Sequence, residues 1–322
     1  PHHQWHKPLQ ARTNYWGGNR MIKERAEEYA VPTMRKHVPF QQASVLITGL
    51  IRNGEKQLER EVETLYRAFE NFKKVEFLIV ESDSSDNIVH VLKELSKEIK
   101  GFEYVSLGNL SSQMPNRIDR IAFCRNKAHA LISEKINSFD YIAVADLDGV
   151  NHLLTQDAVQ SCWSRSDWDV VTANQSGPYY DIYALRAEGW CEVNCEEEVR
   201  KLANSGIHPM KARKKEIYDR QKVIPISSNW VPVKSAFGGL AIYTSESFMF
   251  GSYSSRNRAD LIECEHLSLN LAITVKGGRI FINPRLINSM GNDLSKISKR
   301  LKYLIKYTLS FVAPKLFMRW IG

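Results

Sequence analysis

Along the first half of the chain, apolar residues alternate between short continuous runs and stripes at helical spacing. Residues 44–50 (Ser-Val-Leu-Ile-Thr-Gly-Leu) and 75–80 (Val-Glu-Phe-Leu-Ile-Val) are runs of strand length, and between them Leu58, Val62, Leu65 and Phe69 repeat as one helical face. The alternation continues with a helix over 87–100, a strand at 102–107, a helix over 118–136 and a strand at 141–145. Such a series builds an α/β domain with a mostly parallel sheet covered by helices on both faces. In these sheets ligands bind beyond the carboxyl ends of the strands, so polar residues that end strands become the candidates for chemistry.

After Asp148 the pattern loosens. It predicts a helix over 155–164, strands at 169–173 and 181–185, a charged helical insertion at about 190–222, strands at 222–226 and 240–244, a helix over 263–275 and a strand at 279–282. The chain divides into an irregular lead-in at 1–40 with one helix near 21–29, a domain over 41–290, and a tail at 291–322.

With 43% hydrophobic and 25% charged residues, 322 residues suffice for a sizeable core. The net charge of +8 raises a nucleic-acid reading, but residues 294–322 hold seven of the 44 basic side chains and no acid, leaving 37 against 36 before them. A nearly neutral body without a basic footprint argues against nucleic acid as a partner. Five scattered cysteines fit free thiols in a reducing, cytoplasmic compartment better than a disulfide framework. No run reaches the ~18 apolar residues of a membrane helix, and a first residue of Pro leaves open an earlier targeting or anchoring segment.

The sharpest motif is Tyr141-Ile-Ala-Val-Ala-Asp146-Leu147-Asp148-Gly149, an apolar strand running into two acids one residue apart. Alternate residues of an extended segment point the same way, so Asp146 and Asp148 can share Mg²⁺ or Mn²⁺, which prefer oxygen ligands. Such an ion neutralises a departing diphosphate. Asp-Leu-Asp-Gly also reads as a turn that caps a helix; its place at the end of the fourth strand of the series favours the cation.

At the second strand end, Glu81 and Asp83 can accept hydrogen bonds from a base or ribose, whereas Asp86 reads as a helix cap. Arg120 and Arg125, on the helix before the Asp-x-Asp strand, are candidates for phosphate contacts, with some arginines of that helix facing solvent. Gly238 and Gly239 allow close approach of backbone to a sugar, or serve an ordinary turn. Glu265, ahead of His266 at the start of an apolar helix, can take an acceptor proton or position the sugar, or simply complement the helix dipole.

Taken in order, Leu50-Ile-Arg52-Asn53, Glu81-Ser-Asp83, Arg120 to Asn126, Asp146-Leu-Asp148, Gly238-Gly239 and Glu265-His266 resemble the GT-A glycosyltransferases over roughly 44–288. The resemblance implies a Rossmann-like fold, mostly parallel in its central sheet and flanked by helices, with a C-terminal amphipathic helical tail. More narrowly, Leu50 to Asn53, Tyr179-Tyr-Asp181-Ile-Tyr-Ala-Leu-Arg186 and the glycine pair are similar to the fungal capsule-associated mannosyltransferase group and related bacterial enzymes.

By this resemblance Asp146 and Asp148 would hold the donor diphosphate through Mn²⁺ or Mg²⁺, Asp83 would meet the nucleoside, with Arg52 beside it, and Glu265 would lie beside the acceptor. Asp181, Gly238, Gly239 and His266 would face the sugar or acceptor. The family often has a metal-binding His near the end of the fold, but His266 is the last histidine, so Asn288 or donor oxygens and water would complete the metal shell. The residues are compatible with inversion or retention at the anomeric carbon; the narrower likeness implies retention.

In the tail, Leu294, Ile297, Leu301, Leu304, Ile305, Leu309 and Val312 form one stripe, with Lys296, Lys299, Arg300 and Lys306 away from it. A basic amphipathic helix of this kind suits an anionic membrane surface, and equally a helix docked on the sheet. On the membrane reading the protein is peripheral and its acceptor a glycan carried on a lipid. Two competing functions remain: a metal-dependent nucleotidyltransferase, for which Gly49 to Gly54 makes a poor phosphate loop, and a noncatalytic membrane-attached carbohydrate-binding protein.

Overall fold

The computed structural model describes residues 37–291; the expected helix near 21–29 and the amphipathic tail lie outside the described residues. In chain order the elements are β1 (Ser44–Ile51), α1 (Leu58–Phe69), β2 (Lys74–Glu81), α2 (Ile88–Glu98), β3 (Phe102–Ser106), α3 (Arg117–Glu134), β4 (Tyr141–Asp146) and α4 (Gln156–Gln160). They continue with β5 (Val170–Gln175), α5 (Cys195–Asn204), α6 (Pro209–Glu216), β6 (Val231–Val233), β7 (Leu240–Thr244), α7 (Ser245–Phe248), α8 (Glu265–Val275) and β8 (Ile280–Ser289).

The strands form one sheet in the order β3-β2-β1-β4-β7-β5-β8-β6. Strands β1 to β4, β5 and β8 run in one direction, while β7 and β6 run against them. This is the expected α/β architecture, a mostly parallel sheet flanked by helices.

Both faces of the sheet are covered, which is why its strands read as unbroken apolar runs. Val45 and Ile47 face a core shared with Leu58, Val62 and Leu65 of α1 and Leu92 of α2. Leu46, between them, faces the opposite core with Ala128 of α3 and Ile273 of α8. The charged stretch after residue 190 belongs to that second core, since Cys195, Val199, Ala212 and Ile217 are buried in it. At the amino end of β4, Tyr141 packs edge-on against Trp163 at 5.0 Å between ring centroids, anchoring the strand that carries the acids. All five cysteines are buried thiols. Among the described residues no helix is long and apolar enough to cross a membrane.

Two expected strands do not form. At 181–185 the chain turns, because the Asp181 carboxylate accepts the Ala184 N–H at 3.3 Å, a local bond that competes with a ladder. At 222–226 only Val223 bridges, to Pro178, and Pro225 has no N–H to extend the pairing. Conversely, the short edge strand β6 was not expected, since Pro232 interrupts its pattern; an edge tolerates the missing donor.

Register decides where the polar strand ends meet. Ile51 lies opposite Glu81, and Leu50 opposite Asp146. Residues 52–53, 82–83 and 147–148 therefore leave the sheet side by side. Because β7 runs antiparallel to β4 with Leu240 opposite Ala145, Gly238 and Gly239 enter at the same edge.

Candidate active site

A cavity of about 370 Å³ opens at this edge, lined by groups from the ends of β1, β2 and β4, the first turns of α3 and α8, and the loop after β5. Nine of the singled-out residues line it: Arg52, Asp83, Arg120, Arg125, Asp146, Asp148, Asp181, Glu265 and His266. Its chemistry is divided, with arginines toward α3 and four carboxylates toward β4 and α8.

The acid end begins where β4 stops. Asp146 N–H donates to the Gly239 carbonyl at 2.9 Å, and Asn151 Nδ2 donates to the Asp146 carbonyl at 2.7 Å. These bonds, with Gly149 at φ +92°, turn the chain out of the sheet immediately after Leu147. Leu147 is buried, whereas Asp148 is exposed and its carboxylate has no hydrogen-bond partner among the described residues. The Asp146 side chain is 37% exposed. Burial and the charges of Asp148, Asp181 and Glu265 push its carboxyl up to about 7, against the pull of Arg125.

Arg125 is the hub of this end. Its Nε donates to Glu265 Oε1 at 3.0 Å and its Nη2 to Asp146 Oδ1 at 3.3 Å. Its guanidinium also lies 5.3 Å from the Phe237 ring centroid and 5.8 Å from that of Tyr253. Burial disfavours its charge, but Glu265 and Asp146 outweigh that and hold it protonated. Arg125 thus engages two protein carboxylates at the cavity wall, where the sequence predicts phosphate contacts.

Glu265 opens α8, where the helix dipole favours a carboxylate. His266 follows it, stacked on Phe237 at 3.8 Å, with neither ring nitrogen hydrogen-bonded. Burial and the Arg125 charge lower its pKa well below the usual value, so the imidazole is neutral. A buried polar ring without partners is costly in isolation, and this one sits at the wall of a cavity that can supply them.

Asp181 is half-buried and its carboxylate spans two loops, accepting from Gly238 N–H at 3.0 Å and Ala184 N–H at 3.3 Å. Burial raises its pKa against these two bonds. Gly238 and Gly239 take φ values of +68° and +87°, which L side chains rarely adopt. A Cβ on Gly239 would stand 3.0 Å from the Tyr180 hydroxyl. The close approach that these glycines serve is therefore to protein groups, and neither lines the cavity.

Toward α3 the picture differs from the sequence reading. Asp83 Oδ1 accepts the N–H groups of Leu110 and Ser111 at 2.9 and 2.7 Å, and Oδ2 pairs with Arg120 at 3.3 Å. Burial opposes the charge, yet those bonds hold this carboxyl below its ordinary range. Arg120 further donates to the carbonyls of Met114 and Pro115. Both residues thus organise the 108–116 loop that walls the cavity.

Glu81 is fully enclosed, accepting from Ser84 N–H and the Ser106 hydroxyl, and does not line the cavity. Asn288 is also enclosed: its Nδ2 donates to Gly238 O and Asn151 Oδ1, and its Oδ1 accepts from Gln175. It braces the turn behind the acids and does not line the cavity, so the structure does not bring it to the acids as a metal ligand. Asp86 accepts from Ile88 N–H and from Glu55 N–H, a structural tie, but the N-cap position expected of it is taken by Asn87.

Several cavity residues went unselected from sequence. Arg117 is exposed at the first turn of α3 and lines the same cavity as Arg52, whose Nε donates to the Asp83 carbonyl. Asn116, capping α3 with two N–H bonds, was the available signal that Arg117 stands at a helix start. Tyr180, Tyr183 and Phe237 complete the walls, and nothing in their spacing announces it.

No three His, Cys, Asp or Glu side chains cluster as a closed cation site among the described residues. The open pair Asp146 and Asp148 nevertheless fits a hard divalent ion of the Mg²⁺ or Mn²⁺ kind, which commonly takes one or two carboxylates and completes its shell with substrate phosphates and water. Four carboxylates around one buried arginine leave negative charge for such an ion to balance.

No protein-family model matches the chain, and no curated protein sequence matches it. Among solved structures it is similar to a mannosyltransferase from Pyrobaculum calidifontis in complex with GDP-Man and Mn²⁺, at 11% identity and a TM-score of 0.45, over 87% of this chain and 66% of that one. It is also similar to S. aureus TarS 1-349 in complex with UDP-GlcNAc, at 10% identity and TM-score 0.43 over 74% and 55%. A third likeness is to glucosyl-3-phosphoglycerate synthase from Mycobacterium tuberculosis in complex with UDP, at 11% and TM-score 0.33 over 83% and 79%. The chain thus spans less than two thirds of the length of the first of these proteins. At such identities and scores the likenesses carry nothing about donor, acceptor or metal.

Proposed function

We propose that this chain is a metal-dependent glycosyltransferase of the GT-A type, moving a sugar from a GDP- or UDP-linked donor to a glycan acceptor. The observation that carries this reading is the pair Asp146 and Asp148, open to one cavity whose other walls hold Glu265, His266 and exposed arginines. Asp146 and Asp148 would hold Mn²⁺ or Mg²⁺. When bound, that ion stabilises negative charge on a departing nucleoside diphosphate.

The chain's own groups divide the remaining work. Arg117 and Arg52 lie at the rim, where guanidinium groups attract the anionic donor. The 108–116 loop, fixed by Asp83 and Arg120, gives the nucleoside a rigid wall through backbone groups rather than through the Asp83 carboxylate. Glu265 and neutral His266 offer hydrogen-bond partners to sugar hydroxyls, and Arg125 holds Glu265 in place. Tyr180 and Phe237 narrow the cavity and limit water, which would otherwise compete as acceptor.

The pattern of the tail supports an acceptor carried on an anionic membrane, with the protein peripheral to it. The test of the enzymatic reading is sugar transfer or donor hydrolysis with GDP- and UDP-sugars. Activity in the native chain that disappears in Asp148→Asn supports it. A carbohydrate-binding scaffold would show no turnover in either, and a nucleotidyltransferase would release pyrophosphate from a nucleoside triphosphate instead.

A further inference from the structure

Arg125 is an unusual neighbour for a cation-binding carboxylate, because it already supplies positive charge to the oxygen an ion would want. We propose that Arg125 is a positioning residue that stands in for the cation at Asp146, so that the divalent ion binds together with the donor diphosphate and only weakly before it. The proposal rests on the glycosyltransferase reading and extends it to the order and coupling of ligand binding.

Three observations carry it. First, the guanidinium bridges two carboxylates unequally, at 3.0 Å to Glu265 and 3.3 Å to Asp146. Charge-assisted bonds of this type usually lie at about 2.7–2.9 Å, so the Asp146 contact is the looser and the one an ion can take. Second, the guanidinium can stay buried when it lets go. Glu265 remains on its Nε, and the faces of Phe237 and Tyr253 at 5.3 and 5.8 Å continue to stabilise its charge. Third, the protein alone offers an incoming ion few oxygens, since among the described residues no third ligating side chain joins Asp146 and Asp148.

A bare ion must therefore break a buried hydrogen bond and gain at most two carboxylates. An ion arriving with a diphosphate gains phosphate oxygens as well, and the phosphate charge offsets the positive charge gathered beside Arg125. Arg125 therefore adds to the coupling that the phosphate oxygens give directly, and by linkage cation and nucleotide tighten each other by the same factor.

The test reads Mn²⁺ binding by electron paramagnetic resonance, with and without GDP or UDP, independently of turnover. In the native protein the nucleotide should tighten Mn²⁺ by about tenfold or more, within the usual range of coupling between sites. The double variant Arg125→Met with Glu265→Gln removes the Arg125–Glu265 charge pair together, so that Asp146 is the one carboxylate left without its guanidinium partner. It should bind Mn²⁺ without nucleotide more tightly than the native protein and show a smaller coupling, the direct contribution of the phosphate oxygens remaining. Glu265→Gln alone, which keeps the full guanidinium for Asp146, should bind Mn²⁺ more weakly. Structural damage would not raise affinity in one variant and lower it in the other. Nucleotide binding with Mn²⁺ affinity unchanged by nucleotide, or by the double variant, would overturn the proposal alone. Failure of GDP and UDP to bind under any condition would remove the glycosyltransferase reading as well.

Discussion

Asp181 Oδ2 accepts the backbone N–H of Gly238 at 3.0 Å, tying the loop after β5 to the glycine pair that precedes β7. A carboxylate can accept at both oxygens, whereas an amide presents one acceptor and one donor. Asp181→Asn therefore sets an NH₂ group against a backbone N–H or abandons one of the two bonds. Leaving a buried donor unsatisfied costs about 1–3 kcal/mol. Chemical denaturation should show a loss of that order, with the midpoint moved and the slope unchanged.

Gly238→Ala and Gly239→Ala should both destabilise, because each glycine has positive φ and a Cβ would meet Ala173 O at 2.8 Å or Val150 Cγ1 at 2.7 Å. They should differ in ligand binding. Only Gly239 abuts the hydroxyl of the cavity residue Tyr180, so calorimetry with nucleotide should find a greater loss of affinity in Gly239→Ala than in Gly238→Ala.

The sheet was legible from sequence because both of its faces are buried, which turns β1, β2 and β4 into apolar runs that pattern alone finds. The acids were legible because register is inherited from those runs: once β4 ends at Asp146, Asp148 must emerge beside Arg52 and Asp83. What sequence could not supply was where each charged side chain spends its hydrogen bonds. Arg120 and Arg125 carry the same group five residues apart on one helix. One is tied to the carbonyls of Met114 and Pro115, the other bridges Asp146 and Glu265, and exposed Arg117 is the one left for a ligand. The spacing of the arginines announces none of these partners, which range from the neighbouring loop for Arg120 to Glu265, 140 residues away, for Arg125. The strand expected at 181–185 failed for a related reason, since a local carboxylate bond outcompeted a ladder.

The arginines of α3 separate in mutation. Arg117→Ala removes an exposed guanidinium and should leave thermal stability unchanged while weakening nucleotide binding several-fold, more at low salt than at high. Arg120→Ala removes the partner of a buried carboxylate and two carbonyls, and should lower the melting temperature clearly. Equal thermal effects of the two variants would contradict the division of roles.

Glu61, on α1, is 3% exposed and has one carboxylate oxygen without a partner. Burial, against a hydrogen bond from Asn151 and with added repulsion from Asp148, pushes its carboxyl up to about 7. Between its ordinary value of 4.5 and about 7 the folded state holds a proton that the unfolded chain has released, so native stability falls as pH rises through that window. Glu61→Gln abolishes this term. Urea denaturation should show the variant gaining on the native protein by about 1–3 kcal/mol between pH 4.5 and 7, and no further above it. A difference independent of pH would refute the assignment.

The amphipathic pattern of the tail predicts that the intact chain floats with anionic liposomes and that a chain ending at Asp293 does not. Equal recovery of both in the soluble fraction would remove the membrane from the account.

The most direct test of the central claim is the thermal midpoint of the native chain and of Asp148→Asn with GDP, UDP and their sugars, each with and without Mn²⁺. A ligand at one hundred times its dissociation constant adds about 2.7 kcal/mol to the native state. The account predicts a shift of that size in the native chain with one nucleotide class and Mn²⁺ together, and loss of the metal-dependent part in Asp148→Asn. No shift with any nucleotide, or an equal metal-dependent shift in the variant, would contradict it.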